Sequence, residues 1–203
     1  MFAENETYSI GWADWFRWLG LTVAGLVAGF LVFLVVGVTA GEYMDEHLPE
    51  FVFGVVLGAI FGSAFGVAHW RFLRRYVPHA SSWIPATIVA FALAAAVVFG
   101  LLNPQNGDVS LPLRLSHGLA VGLSLGLGQW LVLRSRVAGP AHLWILFSAG
   151  AWIAGELTGI ALEGVAEGPL ALMATFLVGA SLSGLGMVWL LRQGPAYQAQ
   201  PAH

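Results

Sequence analysis

Six long apolar stretches divide this chain, each closed by charged, proline-bearing or glycine-rich residues. No charged residue lies between Arg17 and Glu42, which is length enough for a helix to cross a hydrocarbon core of ~30 Å at ~1.5 Å per residue. Gly41 to Glu50, with four acids and a proline, then reads as a loop. Further apolar runs follow at Phe51–Leu73, Trp83–Leu102, Leu113–Leu133, Ala141–Leu162 and Pro169–Leu191. Tyr76–Ser82, Asn103–Pro112, Gly139-Pro140 and Glu163–Gly168 carry turn chemistry between them. The pattern predicts an all-α integral membrane protein of one membrane domain, residues 1–203. Its transmembrane helices fall at about 17–40, 51–73, 83–102, 113–133, 141–162 and 169–191. Met1 to Asp14 lacks the basic start of a secretory signal. Trp12, Trp15, Phe16 and Trp18 read as an interfacial lead-in. The tail from Arg192 to His203 is too short and too rich in Gln, Pro and Ala to fold alone.

Within that pattern a second periodicity appears. Gly54 to Tyr76 has a glycine at every fourth position, then a tryptophan, then arginines; Gly118 to Arg136 repeats the plan, and Phe176 to Arg192 carries a worn copy. Arg74, Arg134 and Arg192 coincide when the copies are laid together, as do Gly66, Gly126 and Gly184, which gives a period of about sixty residues. The spans therefore read as three tandem helical hairpins, a plain odd-numbered span followed by a glycine-striped even-numbered one. Residues four apart form one ridge of a helix, so Gly54, Gly58, Gly62 and Gly66, and again Gly118, Gly122 and Gly126, form smooth grooves in which another backbone can lie. Gly25 and Gly29 make a weaker one. A flat cofactor or lipid tail would also fit such a groove, but ordinary helix packing is the reading preferred.

Charge adds an orientation. Arg17, Arg71, Arg74, Arg75, Arg134, Arg136 and Arg192 fall at one membrane face and Arg114 alone at the other. By the positive-inside rule both termini and the arginine turns are cytoplasmic, while Glu42, Asp45, Glu46, Glu50, Asp108, Glu163 and Glu167 face outward. Composition agrees with a lipid setting, at 58% hydrophobic and 9% charged residues. A net charge of −3 and the lack of any basic run exclude a nucleic-acid partner. The absence of cysteine excludes disulfides, thiolate metal sites and thiol catalysis.

Candidate chemistry is sparse. Trp70, Trp83, Trp130, Trp144 and Trp189, with the leader's three, gather near the cytoplasmic face, where an aromatic anchor belt accounts for them better than a stacked ligand does. His69 is a possible cofactor ligand. A bis-histidine haem between His69 and His142 fits poorly in depth, however, and no cofactor is assigned. No pair of histidines has metalloprotease spacing and no Ser, His and Asp share one depth, so enzyme chemistry has no support. Glu156 is the only acid inside a span. A carboxylate there costs about 2.5 to 3.5 kcal/mol on insertion scales and must have a partner. Counted at ~1.5 Å per residue, Glu156 lies about 10 Å inside Glu163, and His117 about 5 Å inside Arg114. The expected cluster is an Arg114–Glu156 pair with His117, Ser116 and Thr158, either structural or a proton-linked site opening outward.

The element Gly126-Leu-Gly-Gln129-Trp130-Leu-Val-Leu-Arg134, with Trp144 ten residues beyond Arg134, resembles a loose group of uncharacterised bacterial multi-span membrane proteins that repeat a G-x-x-Q-W-x-x-L-R unit. It spans the second to sixth apolar runs in weakening form: His69 stands in place of Gln129 in the first copy and Met187 in the third, where the tryptophan is displaced to Trp189. The resemblance implies the fold and a bacterial inner-membrane location, and it carries no activity. Two functional classes remain from the sequence. One is a non-enzymatic packing or accessory subunit bound to other membrane proteins in the bilayer; the other is a small proton- or cation-linked transporter or channel centred on Glu156. Continuous hydrophobicity and small-residue helix faces favour the first.

Overall fold

A computed structural model describes residues 10–47, 49–102, 110–137, 139–163, 165 and 169–193. Among these residues there are no strands and six helices long and apolar enough to cross a membrane. They are α1 (Trp12–His47), α2 (Glu50–Leu73), α3 (Trp83–Leu101), α4 (Leu111–Leu133), α5 (Leu143–Leu162) and α6 (Pro169–Arg192), with a 3-10 turn at Ala80–Ser82 leading into α3. Each helix packs on its neighbours in sequence, and α1 closes against α6. The result is a ring of six.

Helix α1 departs from expectation at both ends. The aromatic lead-in is itself helical from Trp12, because Asp14 in the first turn accepts the Gly11 N–H at 2.9 Å and its charge suits a helix N-terminus. Gly41 to His47, expected as loop, continues the helix. Acids outside the hydrocarbon do not oppose helix formation; what stops it is Pro49, whose extended backbone (φ −57°, ψ 144°) caps α2 instead. The side chains of Glu42, Asp45 and Glu46, and all of Asp108 and Glu167, lie outside the described residues.

The glycine grooves seat the next helix in the chain. A Cβ at Gly62 would stand 2.7 Å from Ile88 Cα, and one at Gly54 2.7 Å from Ala95 O, so α3 lies with its backbone in the groove of α2. Helix α5 lies likewise on α4, where a Cβ at Gly122 would be 2.6 Å from Ala149 Cα and one at Gly126 2.8 Å from Ile145 Cα. Gly58 and Gly66 face Phe91 and Ile84, and Gly118 faces Trp152 and Glu156. Apolar helices in lipid gain nothing from hydrophobicity, so such contact is the main attraction available. On α6 the corresponding Gly184 meets rings, with a Cβ there 2.7 Å from the Trp18 indole. Trp15 Nε1 donates to Ser181 O at 2.9 Å and Arg192 Nε to Ile10 O at 2.8 Å, which joins the first helix to the last.

At the end of the ring that carries most arginines, side chains join one turn to another. Arg136 donates to Pro78 O at 2.8 Å and also to His79 O, tying the α4–α5 turn to the α2–α3 turn. Arg74 sits over Trp70 at 5.4 Å and Arg134 over Trp130 at 5.3 Å, two equivalent cation–π contacts. Gly139 adopts φ 121°, which a side chain would resist. Tyr76 donates its hydroxyl to Asp14 Oδ1; burial, then that bond and the carboxylate's charge, push the phenol up to about 12, so it remains a donor at any ordinary pH.

The tryptophans correct the expectation of a uniform anchor belt. Trp18, Trp83 and Trp144 are 1%, 1% and 2% exposed and form the centre of the main core with Phe72, Leu73 and Leu133. Their indoles meet in pairs, Trp18 to Trp144 and Trp83 to Trp144 each at 6.2 Å between centroids. The physical reason is volume: a ring of six helices leaves an axis wide enough to need large side chains, and indoles at the start of three odd helices fill it. Trp12 and Trp189, 69% and 38% exposed, do suit a belt. Burial also matches position for position between residues 61–77 and 121–137.

If close approach holds α4 to α5, Gly122→Ala should lower stability by about 1 to 3 kcal/mol, the ordinary cost of overpacking. Gly150→Ala, at an exposed site with nothing within 4 Å, should be neutral or mildly stabilising. Unfolding in mixed micelles compares them, and equal behaviour of the two variants contradicts the packing described.

Candidate functional site

The polar residues expected near the outer face are only partly brought together. Arg114 pairs with Glu163, not with Glu156. Arg114 begins α4 and Glu163 caps α5, so the two stand at one depth, and a guanidinium does better with a carboxylate in water than with one about 10 Å deeper. That pair is partly exposed and contributes about 1 kcal/mol or less. Glu156 is half-buried, packed against Gly118, with His117 and Arg114 within electrostatic reach but no hydrogen bond or ion pair to it among the described residues. His117 Nε2 lies 3.1 Å from Leu102 O; the hydroxyls of Ser116 and Thr158 turn back onto Pro112 O and Ala154 O of their own helices. No relay joins these groups among the described residues.

The stronger candidate lies on the ring's axis, about five residues inside the arginines. His69, Gln129 and Met187 each stand five positions before Arg74, Arg134 and Arg192. Thr22, Thr87 and Ser148 each stand four positions after Trp18, Trp83 and Trp144, one turn further along the same face of the odd helices. All six are buried. The Gln129 amide donates to Thr87 Oγ1 at 3.1 Å and its Oε1 accepts from Trp144 Nε1 at 3.0 Å, so one side chain links α3, α4 and α5. His69 Nε2 lies 2.9 Å from Thr22 Oγ1, and Thr22 donates its single hydrogen to Trp18 O at 2.8 Å. The threonine oxygen must therefore accept, which places the imidazole proton on Nε2 and leaves Nδ1 as a bare lone pair. His69 also stacks on Trp18, 4.0 Å between centroids and 13° from parallel.

Beside these groups is a cavity of about 40 Å³ to which all six helices contribute. That is room for roughly two or three waters, and too little for a haem, so the cofactor considered for His69 does not fit this space. Its walls are largely aromatic: Trp18, Phe65, Phe91, Trp144, Trp152 and Phe176. The polar side chains on the lining are Thr22, His69, Gln129, Ser148 and Ser183, and its tryptophans add indole N–H groups. Among the described residues three buried polar side-chain atoms have no hydrogen-bond partner, namely Trp18 Nε1, His69 Nδ1 and Trp83 Nε1. No cluster of three metal-ligating side chains is present among the described residues.

Comparison adds no second source of inference. No protein-family model matches the chain, and neither the curated proteins nor the solved structures contain a match. Sequence reasoning singled out His69 and Gln129 but missed Thr22, Thr87 and Ser148. The signal for them was a Trp-x-x-x-Thr/Ser spacing on each odd helix, in step with the five-residue spacing of His69, Gln129 and Met187 from the arginines of the even ones.

Gln129→Leu removes both cross-helix bonds and strands the Thr87 hydroxyl and the Trp144 N–H in the core. It should cost about 1 to 3 kcal/mol. Ser63→Ala, whose hydroxyl bonds Ala59 O of its own exposed helix face, should change little. Detergent unfolding midpoints check this, and a Gln129→Leu protein as stable as the parent contradicts a structural role for the link.

Proposed function

We propose that this protein is a non-enzymatic subunit of a larger assembly in the bacterial cytoplasmic membrane, built as three copies of one helical pair with both termini in the cytoplasm. The observation that carries the assembly reading is the outer half of α1. Beyond Leu26 this helix leaves Val27, Leu31, Val32 and Val35 between 49% and 63% exposed, and the facing start of α6 exposes Leu170 and Met173 at 63% and 50%. The bonds that close α1 on α6 lie at the opposite end, at Ile10 and Trp15. Held to each other by hydrogen bonds at one end only, the first and last helices leave this face available to a partner helix, which would pack on it by van der Waals contact. Support for the repeat comes from the matched burial of 61–77 and 121–137 and from the two equivalent arginine–tryptophan contacts. Support for the orientation comes from the seven arginines at one end.

A second reading, a small-molecule binder or carrier, is favoured by the axial cavity rather than by Glu156, which the outer geometry leaves outside any connected polar path.

The chain has no cysteine, so single cysteines test the proposal in native membranes. Labelled with a photoactivatable maleimide, Leu31→Cys on the α1 seam should cross-link to another membrane protein, while Leu157→Cys, also apolar and exposed in the outer half of α5, should not. Ser135→Cys in the arginine turn should react with an impermeant maleimide only after the membrane is opened. Equal cross-linking at both leucine sites removes the seam as an interface, and labelling of Ser135→Cys in intact cells reverses the orientation.

A further inference from the structure

The three unpartnered atoms of the core stand in register with the one complete link. In that link Gln129 donates to the threonine of the preceding odd helix and accepts from the tryptophan of the following one. His69 repeats the first half, donating to Thr22, and by the same register its Nδ1 corresponds to Gln129 Oε1 and Trp83 Nε1 to Trp144 Nε1. Both of those atoms lack a partner within the protein. In the third position stands Met187, fully buried, whose thioether has no hydrogen to donate and accepts only weakly. The atom that would have bonded there is Trp18 Nε1, the remaining orphan. His and Met at the places equivalent to Gln129 thus account for all three of these atoms.

Two of these atoms belong to residues that line the axial cavity, His69 and Trp18. One is an acceptor and the other a donor, each more than nine-tenths buried. An unsatisfied buried polar group costs about 1 to 3 kcal/mol, so any molecule that completes both has a gain in hydrogen bonding to draw on. We propose that the cavity binds a small uncharged molecule bearing one hydrogen-bond donor and one acceptor, of the size and chemistry of a short primary amide, which donates to His69 Nδ1 and accepts from Trp18 Nε1.

Charge and size define the class. No Asp, Glu, Lys or Arg lines the cavity, and an ion taken into such surroundings without a counter-charge carries a desolvation cost of several kcal/mol. About 40 Å³ admits roughly two to four non-hydrogen atoms. Phe65, Phe91 and Phe176 give the ligand's carbon a dry wall, with Phe65 stacked on the other two at 5.3 Å and 6.1 Å. The Ser148 hydroxyl is buried on the same lining and can serve a second donor or acceptor on the guest. This inference stands apart from the partner seam of α1 and α6, and either can fail without the other.

The experiment is a titration of the full chain in detergent micelles, labelled with ¹⁵N in histidine and tryptophan, with acetamide as the probe. The His69 Nδ1 and Trp18 indole N–H resonances should move together and saturate. Acetonitrile, comparable in size but without a donor hydrogen, should bind at least tenfold more weakly, as should methylammonium, which carries a charge. His69→Gln keeps the donor to Thr22 and supplies Trp83 with an acceptor, as Gln129 does for its own neighbours. It should therefore fold, while the acetamide response of Trp18 weakens at least tenfold. Resonances that exchange with water and ignore acetamide would show a site for solvent only and overturn the proposal. Equal responses to all three probes, or an unchanged response in His69→Gln, would overturn it as well.

Discussion

Close approach of backbones is the condition on which the rest of this structure depends. Helix α3 can lie against α2, and α5 against α4, only because no side chain stands between them at Gly54, Gly58, Gly62, Gly118, Gly122 and Gly126. In lipid the exposed faces are satisfied by acyl chains, so cohesion must come from many short van der Waals contacts and a few directed bonds. Drawing odd helices onto even ones in this way also sets their rotation. It turns Trp83 and Trp144 inward, where the ring would otherwise enclose a void.

The axis is then filled by indoles and crossed by hydrogen bonds, and these two facts are linked. A tryptophan buried in a bundle brings an N–H that has no water to meet, so each indole on the axis needs an acceptor from a neighbouring helix. Gln129 supplies one and bridges three helices in doing so. Where the chain has His69 or Met187 instead, the requirement is left open, and the open positions lie at or beside a space that all six helices border. A polar layer of this kind fixes register as well as adding stability, since a turn's slip of any helix would strand several groups at once.

Much of this was legible beforehand. Apolar run length gave the six helices because lipid demands a continuous hydrogen-bonded span, and the four-residue glycine spacing announced close packing because it is a property of one helix face. What could not be read was rotation about each helix axis. Nothing in the sequence near Trp83 or Trp144 distinguishes an interfacial indole from an axial one, so an anchor belt was the natural expectation and the buried triad a correction. The same blindness placed Arg114 with Glu156, where depth along the helix pointed to the right end but the wetter Glu163 was the better partner. Helix α1 ran past its expected loop because acidic residues mark the membrane boundary without ending a helix. The axial layer was half visible: Gln129 and His69 stood out, whereas the hydroxyls at Thr22, Thr87 and Ser148 are ordinary residues until the Trp-x-x-x-Thr/Ser spacing of the three odd helices is set side by side.

The central claim is that His69, Gln129 and Met187 hold equivalent places in one polar layer. Met187→Gln tests it most directly, because the two side chains are nearly the same size and only the amide can accept from Trp18 and donate to Ser148. Measured by unfolding in mixed micelles, the equivalence predicts that Met187→Gln is more stable than the parent by about 1 kcal/mol, in line with hydrogen bonds between membrane helices, and that Met187→Leu is not. A loss of about 1 to 3 kcal/mol in Met187→Gln, the cost of an amide buried without partners, would contradict it.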